Sequence, residues 1–282
     1  MIYVLLNVIL SSFFILCIKW VQERKYDIIG VGMVNYVVAA LFGSVLLFRL
    51  EPTPFSWSSI LTGTLNGVCY FTAFFVLIQA VIWKGAAHIA LVSRLSIVLP
   101  LIAGVSIWGD RPGILQLLGI TLACGALALT VRRGSDLPSV EKPRFALLIL
   151  VTFFLIAGGS RLAQEIFRHV CQPEERAAFL ITAFGLTAAG AIAVQAARRT
   201  APRFSDWAVG SILGLANLGQ TFFILKALEY YPGYIVFPMS SAGGLLFTTV
   251  VAVLVLKERL SAQSYLGISL ATCALALLHP HP

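Results

Sequence analysis

The sequence predicts an all-α integral membrane protein whose ten transmembrane helices form two inverted five-helix repeats. Its composition is too apolar for a soluble domain, its apolar runs are long enough to cross a bilayer, and a pattern of residues recurs once along the chain. Of 282 residues, 59% are hydrophobic and 11% charged, whereas a soluble domain carries about 25% charged residues. A helix crosses ~30 Å of hydrocarbon with ~20 residues, so this length holds roughly ten spans with short connections and no sizeable soluble domain. Secreted factors, cytosolic enzymes and nucleic-acid modules are excluded, and the lipid bilayer is the first partner. The net charge of +8 resides mostly between the apolar runs, where basic residues mark topology and not a nucleic-acid face.

Taken between charged or Pro/Gly-containing breaks, the apolar runs predict spans near 2–20, 29–49, 57–82, 85–108, 113–131, 145–167, 177–196, 206–229, 233–256 and 262–278. The first run lacks a basic leader and ends in Lys19-Trp20 without a small-residue cleavage site, so it is expected to stay as a span. Transmembrane strands would alternate over ~10 residues, but the run from Phe145 to Ala157 is apolar throughout apart from Thr152. The most polar and turn-prone stretch, Arg132 to Pro143, separates the fifth and sixth spans. It divides the chain into a first five-helix unit (1–133), a linker (134–143) and a second unit (144–282). Cys17, Cys69, Cys124, Cys171 and Cys273 are scattered and form no CxxC pair, so neither a disulfide framework nor a metal site is expected, and no cofactor.

A shift of 148 residues lays Asp110-Arg111 on Glu258-Arg259, Leu118-Gly119-Ile120 on Leu266-Gly267-Ile268, and Phe74-Phe75-Val76-Leu77 on Phe222-Phe223-Ile224-Leu225. A shift of 142 lays Lys19, Gln22 and Glu23 on Arg161, Gln164 and Glu165. Polar matches at nearly equal offsets point to a duplicated unit. Because five is odd, the second copy enters the membrane from the opposite face. Two units related by an axis in the membrane plane can rock about a site near the midplane and expose it to each side in turn. The expected activity is alternating-access transport of a small-molecule substrate.

The turns Gly109-Asp110-Arg111-Pro112 and Lys257-Glu258-Arg259-Leu260, each followed by a Gly-containing terminal helix, stand out together with Phe237-Pro238 in the ninth span. On these residues, and over nearly the whole chain, the sequence resembles the drug/metabolite transporter superfamily, in particular the ten-helix proteins built from two EamA-type repeats. The resemblance implies a multi-pass protein of the bacterial inner (plasma) membrane with a central cavity. The third, fourth, eighth and ninth spans would line it, helped by the first and sixth. Amino acids, nucleotide sugars, choline and sugar phosphates are among the solutes such proteins move. Exporters of the small multidrug resistance type, more distantly similar, depend on a carboxylate in their first helix. Here the first span offers only Asn7 at that depth, which disfavours cationic drugs.

Arg94, inside the fourth span and flanked by Leu91, Val92 and Leu95, costs roughly 2.5–3.5 kcal/mol to insert unless it faces protein, water or a counter-charge. It is expected to point inward and meet an anionic group of the substrate; a static pair with Glu165 or Glu229 is the bland alternative. Ser93 and Ser96 in the fourth span, and Ser240 and Ser241 in the ninth, offer hydroxyls to a solute or close packing to a neighbouring helix. Asn66 and Tyr70 in the third span, with Asn217 and Gln220 in the eighth, are further substrate-binding candidates. Gly63-x-x-x-Gly67 and Gly210-x-x-x-Gly214 open the same two spans and read as close-packing devices.

Lys19 with Glu23, and Arg161 with Glu165, are i,i+4 pairs at corresponding places in the halves. They serve either as gates, one made while the other is broken, or as structural pairs. Pro100 and Pro238 interrupt the backbone ladder of the fourth and ninth spans as hinges or plain kinks. His88 is a potential proton switch or a structural residue.

An integral membrane enzyme would need clustered carboxylates or a nucleophile beside a base, and the sequence shows no DxxD, HExxH or GxSxG. A lipid or lipid-linked headgroup flippase shares the inverted architecture and is the nearer competitor. Lys and Arg number 13 beside the loops after odd spans and 6 beside those after even spans, Arg94 apart. That bias puts both termini outside, whereas the resemblance puts both in the cytoplasm. The expected assembly is a monomer or weak homodimer.

Overall fold

The computed structural model describes residues 1–50, 55–84, 92–131, 143–254 and 262–278. Most of the linker, His88, the Lys257–Leu260 turn and the tail from His279 lie outside the described residues, and so does the Lys19 side chain. Every long element among the described residues is helical: α1 (Ile2–Glu23), α2 (Ile28–Leu50), α3 (Trp57–Lys84), α4 (Val98–Ile107), α5 (Ile114–Val131), α6 (Pro143–Val170), α7 (Arg176–Ala197), α8 (Phe204–Tyr230), α9 (Gly233–Leu254) and α10 (Ala262–Leu278). Among the described residues seven helical stretches, in α1, α2, α3 and α6 to α9, are long and apolar enough to cross a membrane. Val92–Ile107, Ile114–Ala126 and Tyr265–Leu278 are shorter apolar helices.

Local chemistry sets the ends. Beyond α1, Lys25 takes the left-handed conformation at φ 55, and the Tyr26 N–H reaches back to the Val21 carbonyl at 3.2 Å, closing a Schellman-type stop. Asp27 then caps α2 through the Ile29 N–H at 3.3 Å. A 3₁₀ turn, Pro173–Glu175, links α6 to α7, with the Gln172 N–H donating to Glu175 Oε2 at 2.8 Å. Asp206 accepts the Arg203 N–H at 2.8 Å at the start of α8.

In lipid no hydrophobic drive separates helix from tail, so close packing and hydrogen bonds hold a bundle together. α3 packs on α6 and α7, α8 on α1 and α2, α2 on α7, α5 on α10, α4 on α6, and α9 on α1, α4 and α10. The glycine motifs mark two of these seams. A Cβ on Gly63 or Gly67 of α3 would lie 2.7 Å from the carbonyl oxygens of Phe179 and Ala183 in α7. On Gly214 of α8 it would lie 2.6 Å from the Asn35 carbonyl of α2. Only glycine permits those approaches. Phe179, Phe184, Leu225 and Phe237 fill the bundle centre, while Leu41, Leu61, Leu115 and Ile212 face outward.

Candidate functional site

The fourth span is broken. Residues 92–95 are helical, Ser96 and Ile97 form a turn, and α4 resumes at Val98. Pro100 accounts for this: it has no N–H for the Ser96 carbonyl, and its ring collides with that carbonyl in an unbroken helix. The Ile97 N–H shifts to the Arg94 carbonyl at 3.4 Å, which releases the Ser93 carbonyl it would otherwise bond.

Arg161 of α6 fills the gap. Its Nη1 donates to the Ser93 carbonyl in a short hydrogen bond, to Ser96 Oγ at 2.7 Å and to the Arg94 carbonyl at 3.5 Å. Ser96 Oγ in turn donates to the Ser93 carbonyl at 2.6 Å. The Arg94 side chain points the other way, its Nη1 donating to the Ser241 carbonyl of α9 at 2.8 Å beside Gly244, whose missing side chain leaves room for the guanidinium. Among the described residues no carboxylate pairs with either guanidinium.

This corrects one expectation and removes one alternative. Arg161 does not pair with Glu165: the carbonyls freed at the break hold the arginine, and Arg168 takes the carboxylate, donating to Glu165 Oε1 at 2.8 Å. Nor does Arg94 pair with Glu165 or Glu229, since Glu229 is engaged by Arg176 and by Lys226 at 2.9 Å. Glu23 and Lys19 sit in the last turns of α1, and the Lys19 side chain is outside the described residues.

The neutral candidates fall into two groups. On one side Ser160 of α6 donates to Asn66 Oδ1 at 2.7 Å, and Tyr70 shares a hydrogen bond of 2.9 Å with Thr221 of α8. On the other, Gln220 Nε2 donates to Asn217 Oδ1 at 2.8 Å, Asn217 Nδ2 to Asn35 Oδ1 at 3.3 Å, and Asn7 Nδ2 to the Gln220 carbonyl at 2.7 Å. Ser240 of α9 donates to Asn7 Oδ1 in a short bond. Buried amides must find such partners or leave unmet groups. Ser93, Arg94 and Ser241 meet at the break, with Pro100 one turn beyond it, whereas Pro238 lies inside a continuous α9. Sequence reasoning missed Ser160 and Thr221, and it placed Arg161 at a gate. A surface hollow of about 380 Å³ beside Met33, Ile192 and Thr200 lies apart from these residues.

Residues 1–132 match the model of the EamA-like transporter family. An uncharacterized protein of Haemophilus influenzae is 25% identical over 286 residues, an overlap of 98% of this chain and 97% of that protein. A protein of known crystal structure superposes with a TM-score of 0.77 at 16% identity, covering 99% of this chain and 95% of the other, which is a likeness of fold. With seven membrane-length helices among the described residues, the chain is a multi-pass membrane protein.

Proposed function

We infer, from the place in the drug/metabolite transporter superfamily that the match over residues 1–132 gives this chain, that it moves a small polar metabolite bearing an anionic group. Transport is secondary, by alternating access, through ten spans arranged as two inverted five-helix repeats. The observation that carries the substrate class is the convergence of Arg94 and Arg161 on the broken fourth span, bonded to neutral oxygens and lacking a carboxylate partner among the described residues. A carboxylate or phosphate supplies the counter-charge, and the amides of Asn66, Asn217 and Gln220, with the hydroxyls of Tyr70, Ser93, Ser240 and Ser241, bind the rest of the solute.

Two features support the inverted repeat. Exchanging α1–α5 for α6–α10 carries α1–α8 packing onto α3–α6, α2–α8 onto α3–α7, and α1–α9 onto α4–α6, and all six contacts occur. The end of α1 also meets the end of α7 through Asp27 and Arg198 at 3.0 Å, so the α6–α7 turn lies a full helix away. The bacterial relative supports a bacterial inner membrane as the location.

The test is a ligand-stabilisation screen in detergent with amino acids, phosphorylated sugars, nucleosides and quaternary amines. An anionic solute at 100 times its Kd raises stability by about 2.7 kcal/mol. Arg94→Ala is expected to remove that gain; an equal response from the variant would defeat the assignment. Scrambling of a labelled lipid headgroup by the same preparation, with no solute response, would replace the reading with a flippase.

A further inference from the structure

Another cluster lies where the end of α4 meets the end of α6 and the start of α9. Trp108 and His169 stack face to face, their centroids 4.4 Å apart and their planes 2° from parallel, which fixes the post-α4 turn on α6. One carboxylate oxygen each from Asp110 and Glu165 and one ring nitrogen of His169 lie within 4.8 Å of one another. Glu165 is only 1% exposed. Its Oε1 accepts from Arg168, yet its Oε2 and Asp110 Oδ2 are both sealed from solvent without a hydrogen-bond partner.

Those oxygens are acceptors when ionised, and leaving them unmet costs ~1–3 kcal/mol each or more. His169 Nε2 lies 3.1 Å from Arg168 Nη1 and 3.3 Å from Glu165 Oε1. Arg168 and His169 both meet Glu165 through Oε1 and leave its Oε2 and Asp110 Oδ2 unmet. The remaining neighbours are Gly233, whose backbone abuts the Glu165 carboxylate, and Tyr234 of α9, whose hydroxyl feels Asp110 and Arg168. Among the described residues neither donates to Glu165 Oε2 or Asp110 Oδ2.

We propose that Asp110 and Glu165 form a proton-binding site in which one proton is held between the two carboxylates. The proton bonds to one carboxylate and is donated to the other, which turns a like-charge repulsion into an O–H···O⁻ hydrogen bond. No other bond changes. When the post-α4 turn leaves α6, each carboxylate meets water and the proton returns to solution, so occupancy favours closure of this end of the bundle. Calling this the coupling proton rests on the transporter reading; proton binding itself does not.

Infrared difference spectroscopy of the full-length protein in lipid, titrated with pH, tests it. Near pH ~6, well above the range of a free carboxyl at ~4, the carbonyl stretch of one protonated carboxylic acid is expected. Glu165→Gln and Asp110→Asn should each abolish it, and Asp110→Glu, which keeps both carboxylates, should retain it. Arg94→Ala, which probes only the substrate reading, should retain it too. Absence of the band from the parent protein, or its persistence in both Glu165→Gln and Asp110→Asn, would overturn the proposal. So would its loss on replacing choline chloride with sodium chloride at constant pH, since sodium would then be the preferred ligand.

Discussion

The α4–α6 seam and the α1–α9 seam, which the proposed inverted repeat would make equivalent, differ in their chemistry. The first joins a broken helix to a guanidinium, with Arg161 on Ser93 and Ser96 and Arg94 nearby. The second joins unbroken helices through an amide and a hydroxyl, Asn7 and Ser240. In the proposed transport reading these are one cationic wall and one neutral wall, between which a solute with a charged end and a polar body would be held in one orientation. The difference follows from sequence: Pro100 frees carbonyls that need a strong donor, whereas Pro238 sits in a helix that continues past it.

The largest expected effect comes from removing the donor at the break. Arg161→Ala removes two charge-assisted hydrogen bonds, to the Ser93 carbonyl and the Ser96 hydroxyl, and leaves only the bond between those two groups, a loss of about 3–6 kcal/mol at ~1.5–3 kcal/mol per bond to a charged group. Thermal melting in detergent should show a marked drop, and Arg161→Lys should recover part of it. An unchanged melting temperature would erase the contrast between the walls. Next come the paired glycine seams. Gly63→Ala and Gly210→Ala force a Cβ to 2.7 Å from the Phe179 carbonyl and 2.9 Å from the Val31 carbonyl, respectively. Each should destabilise by ~1–3 kcal/mol, as overpacking does. Equal losses sharpen the case for equivalent seams, and one silent variant would break it. The smallest effect belongs to the neutral wall: Asn7→Ala removes hydrogen bonds that in membranes average ~0.6 kcal/mol, so melting should fall by no more than a few degrees. A loss as large as that of Arg161→Ala would mean that the two walls are not different in kind.

Much of this was legible in the sequence because apolar run length and insertion cost are local properties. The apolar helices and an inward Arg94 came from such rules, and the described helices follow the predicted runs closely outside the fourth, seven of them at membrane length. There the proline was visible, but the break it causes at Ser96 and Ile97 depends on Arg161 arriving from α6 to meet the freed carbonyls. The i,i+4 spacing suggested that Arg161 would seek Glu165. It did not, because Arg168, three residues beyond Glu165, supplies a competing guanidinium. The Asn7–Ser240 bond joins residues 233 positions apart, and no spacing rule selects such a partner. Asp110 and Glu165 were each read in a different motif, and only the meeting of α4 and α6 brings them together.

The proposed opposed orientation of the two five-helix units is the premise of these comparisons. Single cysteines placed at Lys25→Cys, beyond α1, and Glu174→Cys, between α6 and α7, in a background without native cysteines test it with a membrane-impermeant maleimide on sealed, oriented vesicles. Labelling of the two sites from opposite faces is the predicted result; labelling of both from the same face would contradict it.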